Sequence, residues 1–220
     1  MSASLRERLL EGAAASGLDL SAEQVDRLIE YLALIQKWNQ VYNLTALREP
    51  DEMLTHHLLD SLAVIRPLRR QLEASAPAAP GGWRLLDVGS GAGLPGVVIA
   101  ICCPEIDVSC VDTVGKKARF LQQVAMALRL PNLRGLHARV EQISDRFDVV
   151  SSRAFASLPD FTQWSQDALA ESGIWMAMKG KRPEEELGGL SPSVHVFHVE
   201  QLTVPGLDAE RCIVWMRQKA

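Results

Sequence analysis

Three glycines and two acids stand where they could hold a nucleotide-like ligand. Residues 85–96 read LLDVGSGAGLPG, so an apolar run ends in Asp87 and passes directly into Gly89, Gly91 and Gly93. Glycine lets backbone N–H groups approach a ligand closely, and a strand feeding such a turn and then a helix is a common nucleotide pocket on an open α/β sheet. A second acid, Asp112, closes the next apolar run, IDVSCV, where it can accept both hydroxyls of a ribose.

Two cofactors use a turn of this kind. The dinucleotide fingerprint is G-x-G-x-x-G, with a pyrophosphate at the helix N-terminus. Here the third glycine comes one residue early and Leu94-Pro95-Gly96 follows, with Pro95 suited to a first helical turn. A carboxylate at Asp87 would repel a pyrophosphate but would pair with an amine. S-adenosylmethionine carries an amine and a sulfonium and no phosphate. S-adenosylmethionine is therefore expected, rather than NAD, with Asp87, Gly89, Gly91, Gly93 and Asp112 as contacts and the turn's N–H groups facing the methionine carboxylate. A glycine-rich turn without a ligand would leave the two acids unexplained.

The elements that position these residues follow from periodicity. Ser21 and Gln24 form a capping box, and Val25, Leu28, Ile29, Leu32 and Ile35 follow at helical spacing, with Trp38 extending the face. A second helix is predicted from Asp51 to just before Pro67, with Met53, Leu58 and Leu62 inward, and residues 73–82 read as a linker. Beyond Trp83, strands are predicted at 84–88, 106–111, 133–137, 147–152 and 173–178, with helices near 95–102, 115–129 and 160–171. Residues 194–203 and 211–217 read as an antiparallel hairpin at the sheet edge. Alternation of strand and helix implies a parallel sheet. The expected fold is α/β and Rossmann-like, of the class I S-adenosylmethionine-dependent methyltransferase type. It has a seven-stranded sheet with an antiparallel last strand and a helical N-terminal extension. Residues 1–80 would form the extension, packing on a core of 81–220.

The chain has 220 residues, 47% of them hydrophobic, and a formal net charge of −4. That balance argues against indiscriminate nucleic-acid binding and leaves room for a local basic face. Cys102, Cys103, Cys110 and Cys212 have no C-x-x-C spacing and read as reduced, buried thiols of a cytoplasmic protein. No apolar run is long enough to span a membrane, and no metal-ligand pattern includes His56, His57 or the cysteines. His57 and Asp60 lie three apart and read as a hydrogen-bonded structural pair. Asn39 and Thr45 read as caps and turn formers, and Trp164 and Trp175 as core.

With these residues in view, residues 28–216 resemble the bacterial RsmG (GidB) family, guanine-N7 methyltransferases of 16S ribosomal RNA. The resemblance lies in WNQVYNLTALREPDEMLTHHLLDSL at 38–62, the glycine motif with its LPG extension, and VGKKARFL at 114–121. It continues in SSRAFASLPD at 151–160, MKG at 178–180 and VPGLDAER at 204–211. It implies cofactor contacts at Gly89, Leu94, Val140, Glu141 and Arg153, and 16S rRNA, within the small ribosomal subunit, as the partner of a monomeric enzyme.

Guanine N7 has a lone pair and no proton to lose, so direct attack needs alignment rather than a general base, and no catalytic residue is assigned. The segment after the fourth strand reads SSRAF rather than the N-P-P-Y or D-P-P-Y of exocyclic-amine methyltransferases. No cysteine stands near that strand end for pyrimidine chemistry. N7 lies in the deep major groove of A-form RNA, so the target must be distorted or extruded. Candidate RNA contacts are Lys116, Lys117 and Arg119, then Arg153, then Lys179, Lys181 and Arg182, with Arg66, Arg69 and Arg70 a weaker group. Asn43 or Tyr42 could face the guanine. The alternatives are a methyltransferase with another substrate and a non-catalytic ribosome-assembly factor that keeps the fold.

Overall fold

The computed structural model describes residues 4–78 and 80–219. The chain opens with two helices, α1 (Leu5–Ala15) and α2 (Ala22–Tyr42). Each starts on a reciprocal capping box, Ser4 with Glu7 and Ser21 with Gln24. The buried stripe of α2 is Val25, Leu28, Tyr31, Leu32 and Ile35, and the helix ends at Asn43 in the left-handed conformation (φ 51°). Asn39 then ties down the turn: its side chain donates to Leu47 O and accepts from Thr45 N.

The single helix expected from Asp51 to before Pro67 is instead a broken run. It comprises α3 (Pro50–Met53), a π-helical turn at Leu54–Leu59, α4 (Asp60–Leu62) and α5 (Ile65–Glu73). A π turn inserts an extra residue and rotates the next helical turn about the axis. Polar His57 and Asp60 can then share the buried side with Leu54, Leu58 and Leu59. Pro67 does not stop a helix. It lies in the first turn of α5, where its missing N–H has no helical acceptor in any case.

The sheet has seven strands: β1 (Trp83–Val88), β2 (Ile106–Asp112), β3 (Leu133–His137), β4 (Phe147–Arg153), β5 (Leu169–Lys179), β6 (Val194–Leu202) and β7 (Arg211–Gln218). Their order is β3-β2-β1-β4-β5-β7-β6. The first five in that order are parallel, and β7 runs antiparallel between β5 and β6. Helices α6 (Gly96–Cys102), α7 (Gly115–Ala127), α8 (Leu158–Ser165) and α9 (Glu184–Gly188) fill the connections. The last of these was not anticipated from sequence. The predicted helix at 160–171 ends early because β5 begins at Leu169, opposite Phe147, and the ladder then slips before Val149 meets Ile174. Only glycine fits at that slip: a Cβ on Gly173 would lie 2.9 Å from Phe147 O and 3.0 Å from Ala170 O.

Alternation along the strands divides the core in two. Leu85, Val149, Met176 and Trp215 face a cluster completed by the N-terminal helices with α6 and α7. Leu86, Val150, Trp175 and Met216 face a second cluster under α8. Leu28 of α2 and Val97 of α6 belong to the same buried cluster, so apolar packing runs without a break from the N-terminal helices into the sheet. Trp175 is core as expected, its indole N–H donating to Ser165 Oγ at 2.9 Å. Trp164 is not: it is 39% exposed, because it falls on the outer side of α8. All four cysteines are free and buried, and burial pushes the Cys103 thiol up to about 11.

Since one core serves both parts of the chain, Leu28→Ala should destabilise the whole molecule by about 2–5 kcal/mol. Urea unfolding followed by circular dichroism and by tryptophan fluorescence should show one coincident transition at lower urea.

Candidate active site

The glycine turn sits at the carboxyl ends of the strands, at the point where the sheet order reverses between β2-β1 and β4, as open α/β sheets favour. The N–H groups of Gly89, Ser90 and Gly91, expected to face the methionine carboxylate, are instead held from beneath. Gly89 N and Ser90 N donate to Val111 O at 2.9 and 3.3 Å, and Gly91 N donates to Asp112 Oδ2 at 3.1 Å. Gly89 (φ 65°) has no room for a side chain, since a Cβ there would lie 2.2 Å from the Phe155 ring. Gly93 (φ 94°) is packing rather than contact: its Cβ would meet Leu121 and Val97 at 2.5 Å and the Tyr31 hydroxyl at 3.2 Å. That hydroxyl, buried on α2, donates to Ala92 O at 2.6 Å, so the N-terminal helices support the turn directly.

Asp87 is placed differently from the sequence expectation. It is fully buried on the α6 side of β1, where Ser151 Oγ donates to it at 2.8 Å and Gly96 N at 3.1 Å. It therefore braces the start of α6 rather than lining a cleft. Pro95 caps α6 instead of entering its first turn, and because Gly96 N is spent on Asp87, this helix end is not turned to a ligand. Burial raises the Asp87 carboxyl to about 6, against the lowering effect of its two hydrogen bonds.

Two cavities meet over the turn and share Gly89 and Ala154. The first, about 490 Å³, lies between the ends of β1, β2 and β4. Asp112, Val140 and Glu141 line it with Phe155 and Trp164, whose rings stand edge to face at 5.9 Å. Asp112 is 6% exposed, and its Oδ1 accepts from Val114 N at 2.8 Å. Val140 is buried in a single 3-10 turn after β3, with Glu141 exposed beside it. The second cavity, about 430 Å³, is lined by Leu94, Ser90 and Thr45 and by Arg153, Lys179 and Arg211. S-adenosylmethionine fits this pair. The first cavity joins an acid for a ribose diol to apolar and aromatic walls for a flat base. The Ser90 hydroxyl, buried without a partner, lines the second.

The second cavity is built on ion pairs that spacing alone could not reveal. Asp60 is 2% exposed and takes Arg153 Nη1 at 2.8 Å and Arg211 Nε at 2.8 Å. The expected His57–Asp60 bond is absent. His57 Nε2 pairs instead with Thr45 Oγ1 at 2.9 Å, because the π turn sends the two side chains in different directions. Burial first, then the Arg153 guanidinium, pushes the His57 imidazole down to about 4, so it is neutral near pH 7. Arg211 is the main residue missed from sequence. It lies in VPGLDAER, far from the glycine motif, and only the insertion of β7 beside β5 brings it to the site.

Several proposed RNA contacts are engaged within the chain. Lys117 turns inward, 3.7 Å from Asp112 Oδ2, and lines the first cavity. Lys179 donates to Ala156 O at 3.0 Å and Glu186 Oε2 at 2.7 Å, and Arg182 pairs with Glu184 at 2.7 Å. Lys181 is exposed next to that pair, and Lys116 is half-buried on α7. Asn43 is exposed as the cap of α2 and lines neither cavity, while Tyr42 stacks on Trp38 with ring centroids 5.1 Å apart. The weaker group is structural in two of its members: Arg69 donates to Cys102 O and Arg70 pairs with Glu200.

Solved structures share this architecture. TrmN from Thermus thermophilus matches with a TM-score of 0.54 at 19% identity, over 76% of this chain and 53% of that one. A SAM dependent methyltransferase from Aquifex aeolicus matches with 0.54 at 15% identity, over 76% and 98%. These likenesses show the fold, that of the class I S-adenosylmethionine-dependent methyltransferases. The family model described as rRNA small subunit methyltransferase G (GidB) matches residues 24–214, and the chain belongs to that family. A Ribosomal RNA small subunit methyltransferase G from Paracidovorax citrulli (strain AAC00-1) is 66% identical over 216 residues, 96% of this chain and 89% of the relative. Another, from Acidovorax sp. (strain JS42), is 64% identical over 219 residues, 99% and 97%.

The buried acid and the buried imidazole give opposite pH dependences. Between about pH 4 and 6, folded Asp87 holds a proton that the unfolded chain has released, so its contribution to stability falls as pH rises. Over the same window the unfolded chain protonates His57 while the folded one does not, so that contribution rises with pH. Asp87→Asn removes the first effect alone. Its stability in urea should climb more steeply from pH 4 to 6 than that of the wild type.

Proposed function

We propose that this protein methylates N7 of a guanine in 16S ribosomal RNA, acting as a monomer on RNA held in the small ribosomal subunit in the cytoplasm. The observation that carries the reading is the junction of the two cavities at Gly89 and Ala154: an acid-and-aromatic cavity on one side opens onto a cation-lined one on the other. S-adenosylmethionine supplies an electrophilic methyl group on a sulfonium. In this reading Asp112 holds the ribose, the Gly89–Gly91 backbone follows the cofactor's chain, and Val140, Phe155 and Trp164 enclose the adenine, with Glu141 at its rim. Leu94 and Ser90 then meet the methionine end of the cofactor, with Arg153 beside it, where the acceptor enters.

The residues around the acceptor suit a nucleophile with no proton to remove. His57 is neutral and bonded to Thr45, Asp60 is taken by two arginines, and Asp87 lies beneath the turn. None is placed as a base. Guanine N7 needs none, and the rate gain comes from alignment. Arg153, Lys179 and Arg211 supply a confined positive surface on a chain whose net charge is −4, which suits one splayed nucleotide better than a long duplex. Lys181, Arg182 and Lys116 would extend that surface outward. Among the described residues no helix is long and apolar enough to cross a membrane.

Labelled methyl from S-adenosylmethionine should pass to unmodified small subunits and appear as 7-methylguanosine at a single 16S position. Label at another atom would overturn the N7 assignment, and label only on naked RNA would overturn the subunit as substrate. Asp112→Ala should weaken S-adenosylmethionine binding by at least about tenfold in calorimetry, since a charged acceptor is lost from the pocket.

A further inference from the structure

We propose that Asp60 is a positioning residue for methyl transfer: one buried carboxylate fixes the directions of Arg153 and Arg211 around the acceptor. The two arginines come from strands that are not neighbours. Arg153 ends β4 and Arg211 begins β7, with β5 between them. Asp60 reaches them from the N-terminal helical run and gives each one oxygen, both at 2.8 Å. Arg153 Nη1 is also held by His56 O at 3.0 Å, and Arg211 Nη1 by Glu210 O at 2.8 Å. A guanidinium is planar with five N–H groups, so anchoring a few of them sets where the others point. Both arginines line the second cavity and are about a quarter exposed or less, so their remaining donors serve what enters it.

The arrangement is costly unless it has a use. A buried ion pair or triad is often no more stabilising than apolar packing of the same volume. Here the carboxylate is delivered by a π turn, a departure from regular helix that recurs at functional sites. Two cations on one anion also leave a positive charge in excess at the cavity wall. A role in charge alone is contradicted by the presence of Asp60 itself, because a site that only attracts RNA would be stronger without it. Direction is what the carboxylate adds.

The two readings differ in the sign of one effect. Asp60→Asn removes the anion at nearly constant volume. If Asp60 positions the arginines, kcat on small subunits should fall on the order of tenfold to a hundredfold. RNA affinity should be no weaker than wild type, and S-adenosylmethionine affinity should stay within about twofold. Unchanged kcat would overturn the proposal, as would loss of cofactor affinity together with kcat, which would mark Asp60 as support for the fold. Arg211→Lys gives an independent test should Asp60→Asn not fold. It keeps the charge but not the planar fork, so kcat should fall, and wild-type kcat would sink the idea. Because the proposal rests on the RNA methylation reading, the Arg211 Nε–H resonance supplies a readout without RNA. It should be protected from exchange in the wild type and exposed in Asp60→Ala, which leaves no acceptor, whereas failure of the substrate reading would appear as no transfer by the wild type.

Discussion

A turn whose outer edge borders an open cavity finds little protein there to satisfy its backbone, so its backbone groups are met from behind. That constraint organises this molecule. Val111 O and Asp112 take N–H groups of the turn from β2, Asp87 takes Gly96 N from below, and the Tyr31 hydroxyl meets Ala92 O from α2. Three of these supports come from neighbouring strands, where parallel register fixes their height. The fourth comes from the N-terminal helices. They share the buried cluster beneath the sheet and so brace the glycine turn as well as part of the core.

The second cavity obeys a different rule. Its wall is made of charges brought from distant parts of the chain, and each is balanced locally: Arg153 and Arg211 on Asp60, Lys179 on Glu186. Such pairing keeps long side chains from scattering into solvent while leaving a modest positive excess. Neighbouring Thr45 and His57 form a neutral pair, so the cavity holds hydrogen-bonding groups without another charge.

Much of this was legible in the sequence because it is local. The glycine turn, Asp112 and the strand–helix alternation from Trp83 onward depend on spacing within short windows, and the capping box at Ser21 and Gln24 forms as written. The antiparallel hairpin also forms as read, but the reading did not say that its second strand, β7, would lie inside, between β5 and β6. What escaped was non-local or off-period. The π turn breaks the helical count, so His57 and Asp60 part company. Gly173 permits a slip that starts β5 four residues early. Arg211 and Asp60 are 151 positions apart and meet only through the sheet order. Trp164 illustrates a further limit: periodicity placed an aromatic ring in α8 but could not tell the core from the rim of a cleft.

The four thiols carry one more consequence. Cys102, Cys103 and Cys110 sit in the tight contact between α6 and β2, Cys212 begins the buried face of β7, and burial raises the pKa of every one. Thiolate is the form that reacts with oxidants and disulfides, so the folded chain offers such reagents almost nothing. Sulfur here is compact filler for narrow gaps. Oxidants and disulfides would therefore reach these four sulfurs chiefly in a chain that has come apart.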